Sequence, residues 1–250
     1  MSLSSDLKIL CHMVFARQGG ASHAERLEGF YQGQAAGYDD FRKRLLHGRR
    51  ELYERLPTPN SGVWIEMGGG TASNLEYLGE RIGVLEKVLV VDLSASLLEI
   101  ARGRAKRNEW KNVETIEHDV TTLEAPPADV VTFSYSLTMI PNWFAAVDHA
   151  LKLLKPGGLI GVVDFYVSRK FPADGRRRHG WSTRTFWPTW FAGDNVHLTA
   201  DHLPYLESAT ETVHCFEGKG KVPYLPFVRA PYYIYIGRKR TQAEDSGSSI

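Results

Sequence analysis

The chain is poor in the features that mark several protein classes. Two cysteines, Cys11 and Cys215, stand far apart with no CxxC spacing and no histidine partner pattern. A disulfide framework or a structural zinc site is therefore excluded, and a reducing cytosol fits. None of the nine histidines forms HExxH, and no metal site is expected. No apolar run approaches the roughly 18 residues of a membrane span. The start, MSLSSDLKILCHMVFARQ, lacks a basic n-region, and Lys8 and His12 interrupt its apolar stretch. That argues against a cleaved signal peptide. Charge of one sign is missing too: 30 Lys and Arg face 29 Asp and Glu, which gives no global case for a nucleic-acid binder. No internal repeat is visible.

What is present is ordinary globular material. The 250 residues are 43% hydrophobic and 24% charged, enough for one generous domain. Residues 7–15 place Leu7, Leu10, Cys11, Val14 and Phe15 on one helical face, as a docking helix or one that touches lipid. A second helical stretch over 22–55 carries Tyr31, Tyr38 and a basic cluster from Arg42 to Arg50, and PTPNSG at 57–62 breaks it. Then the pattern alternates. Strands are predicted at 63–67, 87–93, 113–119, 128–136 and 159–167, with helices at 72–82, 95–108 and 142–154. That rhythm predicts an α/β fold, a mostly parallel doubly wound sheet with helices on both faces. Residues 168–200 break the rhythm and read as a lid insertion, and 210–218 and 231–239 read as two further strands. The expected partition is a helical cap over 1–58, a main domain over 59–240 and a disordered tail over 241–250.

VWIEMGGGTAS is the most informative segment. A strand feeds Gly68, Gly69 and Gly70, and the chain then enters a helix whose N-terminus presents free N–H groups. A glycine turn alone is a weak signal. Its surroundings narrow it. Ser73 stands where a dinucleotide GxGxxG wants its last glycine. Glu66 precedes the turn, and a carboxylate there suits a cationic ligand better than a pyrophosphate. Asp92 and Asp119 close the next two strands, where acids can take ribose hydroxyls and an adenine amine. Each acid alone is as well explained as a solvated strand end or a helix cap; together with the turn they are not.

These residues resemble the class I S-adenosylmethionine-dependent methyltransferases. EMGGGTA (66–72) matches their glycine loop, with Ala72 in place of the last glycine in an ordinary φ, and VVDLS (90–94), HDV (118–120) and LKPGG (154–158) follow in order. The resemblance implies a seven-stranded sheet ending in an antiparallel hairpin, with S-adenosylmethionine as cofactor and S-adenosylhomocysteine as product. Glu66 would face the methionine ammonium, with Gly68, Gly69 and Gly70 beneath it. Asp92 and Leu93 would hold the ribose, and Asp119 and Val120 the adenine. Tyr31, Tyr38 and Ser134 would complete that site.

A longer resemblance runs from about His23 to Arg240, through HAERLEGFYQGQAAGYDDFRKRLLHGRRELYERLP and EMGGGTASNLEYLGERI. It is similar to the N-methyltransferases of betaine-lipid synthesis, which trimethylate the amine of diacylglycerylhomoserine. It implies a lipid substrate at the membrane surface, association with the enzyme that makes that lipid, and a cytoplasmic, peripheral location on the inner face. The residues agree in part. FSYSLTMIP (133–141) is not the N/D-P-P-Y/F signature of base methylation, which counts against nucleic acid. Tyr38, Tyr135 and Tyr166 are candidates to surround an amine, since aromatic faces attract a cation by about 0.5–2 kcal/mol. Tyr135, Tyr38 and His47 are the catalytic candidates, as proton relays from an amine that must be neutral to react. The segment 165–191 holds Arg169, Lys170, Arg176, Arg177, Arg178 and Arg184 against Asp174 alone, with Trp181, Trp187 and Trp190. A basic, Trp-rich segment suits an anionic bilayer surface, although a solvated loop is nearly as good a reading. Tyr166, Trp181, Trp187 and Arg184 are the substrate-binding candidates, with Arg184 or the 42–50 cluster pairing the substrate's carboxylate. Competing acceptors are phosphoethanolamine, another small amine or a quinone. A nicotinamide dehydrogenase, and a non-catalytic lipid- or RNA-binding module, are the other classes this sequence allows.

Overall fold

The computed structural model describes residues 43–193, 195–223 and 225–241. Strands β1 (Val63–Met67), β2 (Lys87–Asp92) and β4 (Ala128–Ser134) are apolar runs buried along almost their whole length. A strand covered on both faces requires this. Their side chains alternate between two cores. Trp64, Val88 and Val90 join one, and Ile65, Met67 and Val91 the other. With β3 (Val113–Glu117), β5 (Leu154–Phe165), β6 (Glu211–Val222) and β7 (Leu225–Arg238) they form one seven-stranded sheet in the order β3-β2-β1-β4-β5-β7-β6. The first five strands pair in parallel, and β7 lies antiparallel to both β5 and β6.

Helices cover both faces. On one side are α1 (Arg49–Arg55), a 3₁₀ segment (Ser73–Val84), α2 (Ala95–Arg107) and α4 (Trp181–Ala192). They bury Leu52, Tyr53, Leu75, Leu98, Trp187 and Phe191 in the first core. On the other side α3 (Trp143–Leu153) and α5 (His202–Ala209) bury Val147, Ala150, Leu203 and Leu206 in the second. Ser94 caps α2 by accepting from Leu97 N, which satisfies one of the free N–H groups of the first turn. The doubly wound fold and the antiparallel hairpin stand as expected. The strand order reverses between β1 and β4, and at that switch point their carboxyl ends open a crevice.

Three local expectations are corrected. The helix expected at 72–82 is 3₁₀, broken at Gly79 (φ 55°, ψ −135°). Two glycines within twelve residues weaken an α-helix there. Ala72 is not in an ordinary φ but in the left-handed region at 57°. Within the described part of 22–55, Arg49–Arg55 forms α1, and Gly48 in the left-handed region precedes it. The lid region 168–200 contains a full helix, α4, which is anchored in the core by Trp187 and Phe191. The expected helix at 7–15, Tyr31, Tyr38 and the tail after 241 lie outside the described residues.

Candidate active site

The site grows from the turn after β1. Gly68 and Gly69 both donate their N–H to Val91 O, at 2.8 and 3.0 Å, which folds the chain sharply over β2. Gly68 has φ 67°, and a Cβ there would sit 2.5 Å from Ser136 Cβ. The loop therefore has to be bare where it meets the end of β4. Gly70 N donates to Asp92 Oδ2 at 2.8 Å, and Asp92 Oδ1 accepts from Ser94 N at 3.0 Å. One carboxylate thus ties the glycine turn to the start of α2.

Glu66 is fully buried beneath this turn. Its Oε1 accepts from Tyr53 Oη at 2.9 Å and Asn74 Nδ2 at 2.6 Å. Its Oε2 is buried and has no hydrogen-bond partner among the described residues. Asn74 in turn accepts from Arg49 Nη1 at 3.0 Å, and Tyr53 Oη also reaches Thr132. Burial pushes the Glu66 carboxyl up to about 7, against the pull of Asn74, Tyr53 and Arg49. A buried carboxylate oxygen left without a donor is costly unless a ligand supplies one. A cationic ligand meets that need. An orphaned acid, bare backbone and a second acid at the end of β2 are the groups that S-adenosylmethionine requires, and the residues fit it.

The other cofactor candidates occupy the same edge. Val120 is buried, Leu93 half-buried and Asp119 exposed, with Asp119 Oδ1 accepting from Thr121 N and Oγ1 at 2.8 and 2.7 Å. Ser134, at the end of β4, is buried and its Oγ has no hydrogen-bond partner among the described residues.

The catalytic candidates are placed differently. Tyr135 lies in the left-handed region at φ 54°, buried, with its ring edge-on to Phe165. Its hydroxyl donates to His47 O at 2.7 Å. His47 Nε2 is in turn bonded to Lys221 O at 2.9 Å, and its ring stacks on Tyr232. Both groups clamp the β6–β7 hairpin to the site through backbone carbonyls. Tyr166 packs in the second core, its hydroxyl bonded to Glu217 at 2.7 Å, whereas Tyr135 belongs to the first. The structure does not bring these two tyrosines together. Trp187 is a core residue, Trp181 is exposed, and Arg184 is half-buried on α4. The basic cluster is also partly neutralised by acids distant in sequence. Arg169 pairs with Asp201 and Arg176 with Glu207.

Sequence reasoning missed Tyr53, Asn74, Thr132 and Ser136. Tyr53 looks like one more apolar face residue of a helix, and nothing local says that its hydroxyl reaches an acid 13 residues away. Beside this network a cavity of about 730 Å³ opens between α1 and the 3₁₀ segment. Lys43, His47, Arg49, Arg50 and Tyr77 line it, with both arginines over the Tyr77 ring.

The sheet has the class I methyltransferase fold, and the groups lining its crevice fit S-adenosylmethionine. The chain belongs to the methyltransferase-domain family, whose model matches residues 38–220. A ubiquinone/menaquinone biosynthesis C-methyltransferase of Pseudomonas fluorescens is 27% identical over 169 residues, 64% of this chain and 66% of that one. The chain thus spans just under two thirds of that relative's length. A structure of phosphoethanolamine N-methyltransferase 2 from Haemonchus contortus, with phosphomonomethylethanolamine and S-adenosylhomocysteine, superposes with a TM-score of 0.67 at 13% identity. It covers 89% of this chain and 61% of that one. A methyltransferase from Aquifex aeolicus superposes with a TM-score of 0.55 at 13% identity, over 85% and 97% of the two chains. The matched relatives carry quinone C-methyltransferase names, so the betaine-lipid reading rests on sequence resemblance alone. Among the described residues no helix is long and apolar enough to cross a membrane.

Proposed function

We propose that this enzyme methylates the amine of an acidic lipid headgroup, and that diacylglycerylhomoserine, carried to its trimethylated form, is the substrate. One observation supports an amine above a ring carbon. Among the described residues the Tyr135 hydroxyl donates to His47 O and His47 Nε2 is bonded to Lys221 O, which leaves His47 Nδ1 as the one nitrogen of this pair able to take a proton. An amine needs little help, because its lone pair is available once it is neutral. A free α-amine has a pKa of roughly 8. A carbon acceptor needs a proton removed first.

The cofactor, when bound, supplies an activated methyl group. The chain's own residues hold and align. Glu66 Oε2 is offered to a cationic ammonium, Asp92 to ribose, and the bare turn at Gly68–Gly70 to close approach. The Tyr135 ring forms one apolar wall at the end of β4. Lys43 and Arg50, on the cavity beside Asn74, are candidates for the substrate's carboxylate, since cation–carboxylate hydrogen bonds are the strong ones. Arg184 remains the alternative.

A quinone-type acceptor is the second reading, favoured by the named relative of Pseudomonas fluorescens. Incubation with a labelled methyl donor and, separately, diacylglycerylhomoserine, phosphoethanolamine or a demethylated quinone, followed by mass spectrometry, decides between them. Stepwise mass gains on the homoserine lipid are expected. Label in the quinone alone would overturn the amine reading.

A further inference from the structure

The β6–β7 hairpin runs on past the end of β5. β5 pairs with β7 only as far as Tyr232, while β6 and β7 continue to pair to Val222 and Leu225. In this extension the side chains alternate. Gly220, Val222 and Ala230 are buried, and Lys219, Lys221, Phe227 and Arg229 are exposed. Lys221 and Arg229 are direct cross-strand partners. Like charges placed opposite each other destabilise a strand pair. Neither residue, nor Lys219, makes an ion pair among the described residues, although other cations of the chain do. Phe227 is 96% exposed beside them, more than any other large hydrophobic residue described.

The patch continues onto the loop before α4. Arg177 N and Nη2 bond Glu217 Oε2 and O, which lays that loop against β6. His179, whose pKa burial pushes down to about 4, also feels Lys219 and Arg177 together. Phe171, 74% exposed, carries Lys170 and Arg178 against its ring, and Trp181 is 79% exposed. Lys170, Arg178, Lys219, Lys221 and Arg229, which make no ion pair among the described residues, set beside the exposed rings of Phe171, Trp181 and Phe227, match an anionic surface with an apolar interior.

We propose that this face, the outer side of the β6–β7 extension with the loop before α4, docks the enzyme on an anionic lipid bilayer, with Phe227 and Trp181 entering the headgroup layer. The inference deepens the lipid reading above and rests on it for the choice of a bilayer as occupant. The face flanks the site, since Lys221 O holds His47 and His47 O holds Tyr135. A docked enzyme keeps its crevice beside the headgroups.

The test is co-sedimentation of the full chain with phosphatidylcholine vesicles, with and without phosphatidylglycerol. Binding is expected only to the anionic vesicles and to weaken with salt. Lys221→Glu with Arg229→Glu should lower it by about 25-fold or more, at about fivefold per lost cation. Phe227→Ser should lower it by about tenfold. Lys221→Glu alone turns a repulsive pair into an attractive one, so its thermal midpoint should hold or rise, which separates lost docking from misfolding. Methyl-donor affinity should not change in any of the three. Equal binding to both vesicles, no binding, indifference to the substitutions, or patch-dependent capture of a single-stranded RNA or of a second copy instead would overturn the proposal. The vesicles contain neither amine substrate nor donor. A failure here leaves amine methylation standing, and an inactive homoserine-lipid assay leaves docking standing.

Discussion

Glu66 carries the charge logic of the site, and its protonation gives a sign that can be checked. Burial raises its carboxyl from 4.5 to about 7. Between those values the folded state holds a proton that the unfolded chain has released, so stability falls as pH rises through that window and levels off above 7. Asp164, also buried and raised from 3.8 to about 7, slopes the same way. Glu66→Gln should therefore flatten the fall in thermal midpoint between pH 5 and 7 without abolishing it. Identical slopes in the two proteins would remove Glu66 from the proton balance. Its proposed contact with a cationic donor adds an opposite trend. Calorimetric affinity for S-adenosylmethionine should rise over the same range, and Glu66→Gln should lose that slope together with about ten- to hundredfold in affinity. At Tyr135 the hydroxyl and the ring can be separated. Tyr135→Phe keeps the edge-on contact with Phe165 and loses only the bond to His47 O. It should cost about 1–2 kcal/mol of stability and leave turnover within a few-fold. Tyr135→Ala also empties the ring's volume, and turnover should drop far more than donor affinity. A Phe variant as slow as the Ala variant would make the hydroxyl a proton carrier after all.

At the level of elements, the glycine loop and the segment behind it behave differently, and the structure says why. Gly68 needs a positive φ and would also drive a Cβ against Ser136, whereas Gly79 needs the φ but has open space around it. Gly79→Ala should cost about 1–3 kcal/mol in denaturant melts, from the strain of a positive φ with ψ −135° alone, with donor binding intact. Gly68→Ala should cost more and abolish donor binding, because the turn has to move away from β4. Comparable losses of binding in both would mean that the 3₁₀ segment, not the turn, shapes the site. The strands, their order of acids and the turn were legible, because each is written within a few residues: VWIEM, then three glycines, then Asp92 closing the next apolar run. The network under the turn was not. Tyr53 and Asn74 converge on Glu66 from α1 and the 3₁₀ segment, and Thr132 of β4 holds the Tyr53 hydroxyl from the other side. No spacing along the chain encodes that meeting. The tyrosine cage fails for a related reason. Tyr135 and Tyr166 follow the ends of the adjacent strands β4 and β5, but the sheet sends them into opposite cores.

For the whole molecule, the carboxyl ends of β1 and β2 and one helical layer converge on the candidate cofactor site. Arg49 of α1 bonds Asn74 of the 3₁₀ segment, which bonds Glu66 of β1. Asp92 joins β2 to the turn and to the start of α2. A ligand held by Glu66 and Asp92 thus bears on elements from separate parts of the chain, and none of that arrangement survives unfolding. Binding to the folded state alone raises stability by RT ln(1 + [L]/Kd), about 2.7 kcal/mol at a hundredfold excess over Kd. S-adenosylmethionine and S-adenosylhomocysteine should each raise the thermal midpoint in a concentration-dependent way. The nicotinamide dinucleotide should not, because its pyrophosphate would face the buried acid Glu66 across a turn that has Ser73 where the last glycine of a dinucleotide loop would stand. The dependence separates cause from coincidence. Glu66→Gln must remove most of the shift at a fixed ligand concentration, while Lys221→Glu, whose exposed side chain lies on the outer hairpin face, must leave it whole. A shift produced equally by the dinucleotide, or one that survives Glu66→Gln, would show that the crevice grips adenosine generally and that the buried carboxylate does not select the charge of what binds beside it.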